Sequence, residues 1–144
     1  MQLEIVKASK KNLYSLKVLL RLFFPYSNQI DKIESNMSKN HEYYLLQLER
    51  KTIGFIHFTE FKTFFRLNGI AVDFPFRSKG YGKKLVEFLM EKARSSKKNI
   101  TLLVDSTNIS ALKMYYSLNF KKTRVSKRRL NGTTLLLLKW TLKH

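Results

Sequence analysis

Apolar residues recur along this chain in two rhythms, and the switches between them mark out its elements. Leu3 to Ala8 alternates as a first strand. Ser9 or Asn12 then caps a helix running to about Phe24, with Leu13, Leu16, Leu20 and Phe24 on one stripe, and Pro25 stops it. Ile30, Ile33 and Met37 repeat at helical spacing in a weaker second helix. The loop between them, Pro25 to Asn28, is expected to form a substrate-facing rim. Glu42 to Leu48 and Thr52 to Phe61 read as strands joined by the charged turn Glu49-Arg50-Lys51. Phe64 to Asp73 completes this group, with an apolar run from Leu67 to Phe74 that Pro75 ends. Gly69 within it marks a bulge or a close backbone approach.

The rhythm then returns to helical. From Lys83 to Arg94, Leu85, Leu89 and Ala93 share a stripe with Val86 and Met90 beside it. Ser95 to Lys98 is a polar loop, Asn99 to Val104 a short buried strand, and Ile109 to Leu118 a further helix. Phe120 to Leu142 folds back on itself at Asn131-Gly132, a two-residue hairpin signal. The order β-α-α-β-β-β-α-β-α-β-β predicts a mixed α/β (α+β) sheet with helices on its faces. With no repeat or linker, residues 1–144 form a single domain.

One turn carries candidate chemistry. Arg77-Ser78-Lys79-Gly80-Tyr81-Gly82 lies between a strand and a helix. The first N–H groups of a helix lack partners within it, and with the positive end of the helix dipole they form a seat for phosphate. Two glycines let the backbone bend sharply and approach a ligand without a Cβ in the way. Arg77, Lys79, Lys83 and Lys84 add positive charge around that seat.

Composition narrows the classes. A hydrophobic content of 44%, with 13% of all residues aromatic, excludes whole-chain disorder, and no apolar run approaches the ~20 residues of a membrane span. The start of the chain lacks the pattern of a signal peptide. Cysteine is absent, which removes thiol nucleophiles, disulfides and Cys-based zinc sites, and three scattered histidines make no metal site. A soluble, cytoplasmic protein is expected. The net charge of +18 implies attraction to anions, either a phosphorylated cofactor, nucleic acid, acidic protein or membrane surface, or else a general enrichment in lysine. Basic residues crowd only in Lys121 to Arg129, which also suits a solvated edge strand.

A second constellation lies downstream. Asn108 sits where a strand gives way to a helix and suits a cap, while Ala111 and Tyr115 fall on one helical face, with Phe120 beyond. Alone, this reads as ordinary core. Together, Arg77-x-x-Gly80-x-Gly82 and Asn108-x-x-Ala111-x-x-x-Tyr115 with Phe120 resemble the GNAT (Gcn5-related N-acetyltransferase) superfamily, most strongly from Gly69 to Phe120. Asn119 stands where that family usually has glycine, and Asn tolerates the left-handed conformation.

The resemblance implies a mostly antiparallel sheet whose central strands diverge, with acetyl-CoA as cofactor. It implies that backbone N–H groups from Ser78 to Lys83, across Lys79, Gly80, Tyr81 and Gly82, hold the pyrophosphate. Ala71 and Val72 would flank the pantetheine arm, the Val72 N–H would stabilise the oxyanion, and Asn108 would touch the arm. Tyr115 would supply a proton to the leaving thiolate. The acceptor is expected to be a primary amine: a small amine, a protein N-terminus or Lys, or an aminoacyl-tRNA. The charge slightly favours an anionic acceptor. Transfer is expected to be direct, because no nucleophile motif stands out. The strand before the glycine turn offers no Glu, so Glu60, His57, Asp73, Asp105 or a water chain remain as candidate bases. A non-catalytic basic binding module for nucleic acid or acidic protein, with Lys121 to Arg129 as its contact surface, is the alternative. The apolar residues Leu135 to Leu138 and Trp140 suit either a homodimer contact or a buried strand.

Overall fold

Seven strands join in one sheet. In the computed structural model they are β1 (Leu3–Lys7), β2 (His41–Leu48), β3 (Lys51–Glu60), β4 (Phe64–Val72), β5 (Asn99–Asp105), β6 (Lys121–Leu130) and β7 (Thr133–Trp140), arranged β1-β2-β3-β4-β5-β7-β6. The helices are α1 (Leu13–Phe23), α2 (Ile33–Met37), α3 (Tyr81–Ser96) and α4 (Ile109–Ser117). The structure describes residues 2–23, 32–37, 39–130 and 132–143, with side chains for all of these except 23, 34 and 127–130. Phe24, Pro25, the Pro25 to Asn28 rim and Ile30 therefore lie outside the described residues, as do Asn131 and the side chains of Lys127 to Arg129.

Strand alternation sends side chains to two cores. Tyr43, Leu45 and Phe55 bury against Leu16, Leu19, Leu20 and Ile33 of α1 and α2. On the other face Leu46, Ile56, Phe58, Phe65 and Leu67 pack under Leu85, Val86, Leu89 and Ala93 of α3 and Leu112 and Tyr115 of α4. All neighbouring strands are antiparallel except β4 and β5.

That parallel pair is incomplete, and the gap positions the site. Phe64 to Leu67 pair with Asn99 to Leu102, and there the pairing ends. β4 continues along β3 as far as Val72 opposite Gly54, whereas β5 continues along β7 as far as Asp105 opposite Leu135. The two central strands thus part company, as the family resemblance implied. A bulge falls where they separate: His57 faces Gly69 and Phe58 faces Leu67, leaving Asn68 as the extra residue. The bulge expected near Gly69 is one residue earlier.

Several boundaries differ from expectation. β4 stops at Val72 rather than Asp73, because Asp73 caps a single turn of 3-10 helix over Phe74–Phe76 with Pro75 in its first turn. α3 begins at Tyr81, not Lys83, and continues through Ser95 and Ser96 until Lys97 turns left-handed at φ 57°. Asn119 adopts φ 70°, the conformation in which glycine is usual. β7 is flanked by β5 and β6, so Leu135 to Leu138 form a strand inside the sheet. That is the second of the two readings the sequence left open for them.

Candidate active site

The opening between β4 and β5 leads to the glycine turn. A cleft of about 570 Å³ is walled by Ile70, Ala71 and Val72 of β4, by Phe76, Arg77 and Ser78, by Gly80, Tyr81, Gly82 and Lys83 at the start of α3, and by Asn108, Ser110, Ala111 and Met114 of α4. Of the residues singled out from sequence, Ala71, Val72, Arg77, Ser78, Gly80, Tyr81, Gly82, Lys83 and Asn108 come together here. Lys79 and Tyr115 are not part of the wall.

The turn has the backbone conformation its glycines suggested. Ser78 and Gly80 are left-handed at φ 61° and 83°. Gly80 has open space around its Cα, so conformation alone demands glycine there. Gly82 plays a different part: a Cβ there would sit 3.7 Å from Met114 Sδ, at the floor of the cleft. The Arg77 N–H bonds to the Phe74 carbonyl (3.2 Å), and the first helical N–H to find a partner is Lys84, on Gly80 (3.1 Å). Among the described residues, the N–H groups from Ser78 to Lys83 have no protein acceptor. Six adjacent donors at a helix N-terminus make an anion seat.

Arg77 does more than add charge. Its Nε donates to the Val72 carbonyl (2.9 Å), and its guanidinium lies 5.7 Å from the centre of the Phe74 ring. The side chain therefore fastens the end of β4 to the turn. Val72 itself points its amide usefully. The Asp73 N–H bonds to Ile53 of β3 (2.7 Å), and N–H groups alternate sides along a strand. The Val72 and Ile70 amides accordingly face the side that β5 has vacated.

Gly54 was not anticipated. It stands opposite Val72, and a Cβ there would lie 2.7 Å from the Ala71 carbonyl oxygen. Only glycine lets β3 pass this close to the end of β4. An isolated glycine inside the apolar run Ile53-Gly54-Phe55-Ile56 was the available signal.

Asn108 caps α4, its Oδ1 accepting from the Ala111 N–H (3.2 Å). Tyr115 follows Ala111 by one helical turn but sits in the core, 4% exposed, its ring 5.4 Å from that of Phe120. Among the described residues its hydroxyl has no hydrogen-bond partner, yet no fully buried side-chain oxygen lacks one, so the hydroxyl keeps a residual opening. Burial pushes its pKa up to about 12, and it is protonated at neutral pH.

The candidate bases are otherwise engaged. Glu60 binds the Lys98 ammonium at 2.7 Å, at the far end of β3. Asp105 accepts from the Thr107 N–H and hydroxyl (both 2.8 Å) and from the Thr133 hydroxyl (2.9 Å), bonds that hold its pKa low. The Asp73 carboxylate accepts from the Phe74 N–H (2.9 Å). His57 stacks on Tyr43 at 4.0 Å, and its Nε2 lies 2.8 Å from His41 Nδ1. The chain of contacts continues from His41 to the Thr59 hydroxyl (3.3 Å) and on to Asn68 (2.7 Å) at the bulge. Burial above all, with the charges of His41 and Arg66, pushes His57 down to about 3. Burial likewise lowers His41, with Arg66 and Lys39 adding to the effect. So weak a base does not deprotonate an ammonium. No carboxylate or imidazole lines the cleft among the described residues, and none of them cluster as a metal site.

These features coincide with a known class. The model of the acetyltransferase (GNAT) family matches residues 13–120, and the chain belongs to that family. No curated protein matches the sequence. Solved structures share the fold at low identity. The ribosomal-protein-S18-alanine N-acetyltransferase of Escherichia coli superposes with a TM-score of 0.86 at 18% identity, covering 99% of this chain and 97% of that one. Naa50 of Arabidopsis thaliana, in complex with the bisubstrate analogue CoA-Ac-MVNAL, gives 0.83 at 18% identity over 99% and 100%. Ard1 of Thermoplasma volcanium gives 0.83 at 19% over 99% and 100%. Among the described residues no helix is long and apolar enough to cross a membrane.

Proposed function

We propose that this acetyltransferase moves an acetyl group directly from acetyl-CoA to the α-amino group of a peptide or an aminoacyl ester. The unpartnered amides from Ser78 to Lys83, opening onto the gap beside Val72, carry the proposal. The diphosphate sits on those amides, with Lys83 beside it. The pantetheine arm runs along the free edge of β4 past Ala71 and Asn108. The thioester oxygen accepts from the Val72 N–H, which then stabilises the oxyanion as the tetrahedral intermediate forms. The neutral amine attacks the thioester carbon, the C–S bond breaks, and the proton lost by nitrogen is balanced by the one gained by sulfur.

Tyr115 lies off the cleft wall, but its hydroxyl keeps a residual opening, and through it the phenol serves as hydrogen-bond donor to that sulfur. Passing its proton fully to a thiolate of Cys-like pKa ≈ 8.5 is uphill from a phenol at about 12. Stabilisation of the developing charge is therefore its larger contribution, with net transfer completed as the product leaves.

The choice of acceptor follows from the base. At pH 7 roughly one α-amine in ten is already neutral, against about one lysine amine in a few thousand. A cleft walled, among the described residues, by no carboxylate or imidazole favours the amine that needs least help. The names of two fold neighbours point the same way, one for the alanine of a ribosomal protein and one for a complex carrying a CoA-linked peptide. Release of free thiol from acetyl-CoA tests the reading, using free peptides, N-blocked lysine peptides, polyamines and aminoacyl-tRNA. The expected order has free α-amines fastest. An N-blocked lysine peptide turning over faster would overturn the acceptor class, and no thiol release with any amine would overturn the function.

A further inference from the structure

The opposite end of α3 carries a second anion-attracting feature. α3 spans 16 residues, so its C-terminal turn lies roughly 24 Å from the glycine turn. There a groove of about 930 Å³ runs between α3 and the outer hairpin of β6 and β7. Arg94, Lys97, Lys121, Lys139 and Lys143 line it, and among the described residues no carboxylate does. We propose that this groove binds the phosphodiester backbone of a nucleic acid, separately from the acetyl-CoA cleft.

Charge placement, not total charge, supports this. A net +18 spread evenly would favour no face. Here, however, Lys121 stands directly opposite Lys139 across β6 and β7. Like charges in that position destabilise a sheet unless something offsets them. Elsewhere Lys7 finds a carboxylate 3.7 Å away in Glu42, and Lys98 finds one 2.7 Å away in Glu60. At the groove only Arg94 does, on Glu91 at 2.7 Å, with its guanidinium 5.3 Å from the centre of the Trp140 ring. The negative end of α3 is muted, since the Lys97 and Lys98 N–H groups cap the Ala93 and Arg94 carbonyls.

The groove's floor argues for nucleic acid over an acidic peptide. Trp140 and Met90 are buried, so neither offers a large exposed apolar surface of the kind that anchors a peptide. Beside the half-buried Leu142, the lining adds to its basic residues the Thr123 and Thr141 hydroxyls and the Asn119 amide. Those groups contact phosphate and sugar, and they fix position without reading sequence.

Fluorescence anisotropy with a labelled 20-nucleotide single-stranded RNA tests the site on the full chain. Lys121→Glu/Lys139→Glu/Lys143→Glu is compared with Lys10→Glu/Lys11→Glu/Lys62→Glu, which removes equal charge elsewhere. The groove variant is expected to weaken binding more than 10-fold and the control less than 3-fold. A milder set, Lys→Gln at the same groove positions, should flatten the log-log salt slope by about two units and guards against misfolding of the charge reversal. Saturating coenzyme A should leave RNA affinity unchanged. Equal losses in the two triple variants, displacement of RNA by coenzyme A, or equally tight binding of a polyglutamate peptide would each overturn the proposal.

Discussion

The same two strands behave differently at their two ends. From Phe64 to Leu67, β4 is sealed to β5, with Phe65, Leu67, Ile100 and Leu102 buried between them and α3. Lys98 locks that end by bonding both the Glu60 carboxylate (2.7 Å) and the Phe61 carbonyl (2.8 Å). From Gly69 to Val72 the same strand has no β5 beside it, and its outward amides meet a cleft. Unpaired main chain is costly in a folded interior and is retained where a ligand completes it. The sealed half provides stability, and the open half is where the proposed chemistry takes place.

The sharpest way to break this contrast is at the open end. Gly82→Glu places a carboxylate where the diphosphate is proposed to sit. The Cβ itself meets only Met114 at 3.7 Å, so the fold should tolerate it. Coenzyme A affinity should fall at least ~100-fold, about 2.7 kcal/mol, by calorimetry, with the melting temperature little changed. Retained affinity would show that the turn is misassigned.

Tyr115→Phe comes next. Loss of a proton or hydrogen-bond donor should cut kcat by ~10² or more while leaving coenzyme A affinity intact. Because the hydroxyl has no protein partner among the described residues, stability should hold or rise slightly. Unchanged turnover would remove Tyr115 from the chemistry.

Gly54→Ala probes what holds the open half in place. Its Cβ would lie 2.7 Å from the Ala71 carbonyl, so β4 must move. A stability loss of about 1–3 kcal/mol should accompany a drop in kcat, read by denaturant melts and thiol release. A fall in stability alone would mean that the position of β4 does not govern the reaction.

These effects also show what the sequence could convey. The turn and the α4 cap were legible, because Gly80, Gly82 and Asn108 act through local backbone conformation that a short motif records. The parting of β4 and β5 came only from the family resemblance, since periodicity says nothing of which strands pair. Gly54 and the His41–His57 contact depend on registers between strands, which no local pattern encodes. Arg77 was read as charge for the ligand, whereas its Nε bonds to Val72, a contact five residues back around a turn.

The histidine pair gives a smaller, pH-dependent signal. His57 takes up a proton near pH 6.5 when unfolded but near 3 when folded. The unfolded state therefore binds the extra proton between those values, and stability falls as pH drops from 6.5 toward 3, by at most ~1.4 kcal/mol per pH unit. His57→Gln should flatten that slope by about one proton in melts across pH 4 to 6. An unchanged slope would mean that His57 titrates freely. At the sealed end, Glu60→Gln should cost under ~1 kcal/mol, since the pair is partly exposed, and leave kcat unaltered.

Titrating the ¹⁵N-labelled protein with coenzyme A and following its amide resonances tests the central claim most directly. The largest shifts should fall on Ser78 to Lys83, with smaller ones on Ile70 and Val72 and none on Glu60 or Lys98. Saturable binding that leaves the Ser78 to Lys83 amides unmoved would contradict it.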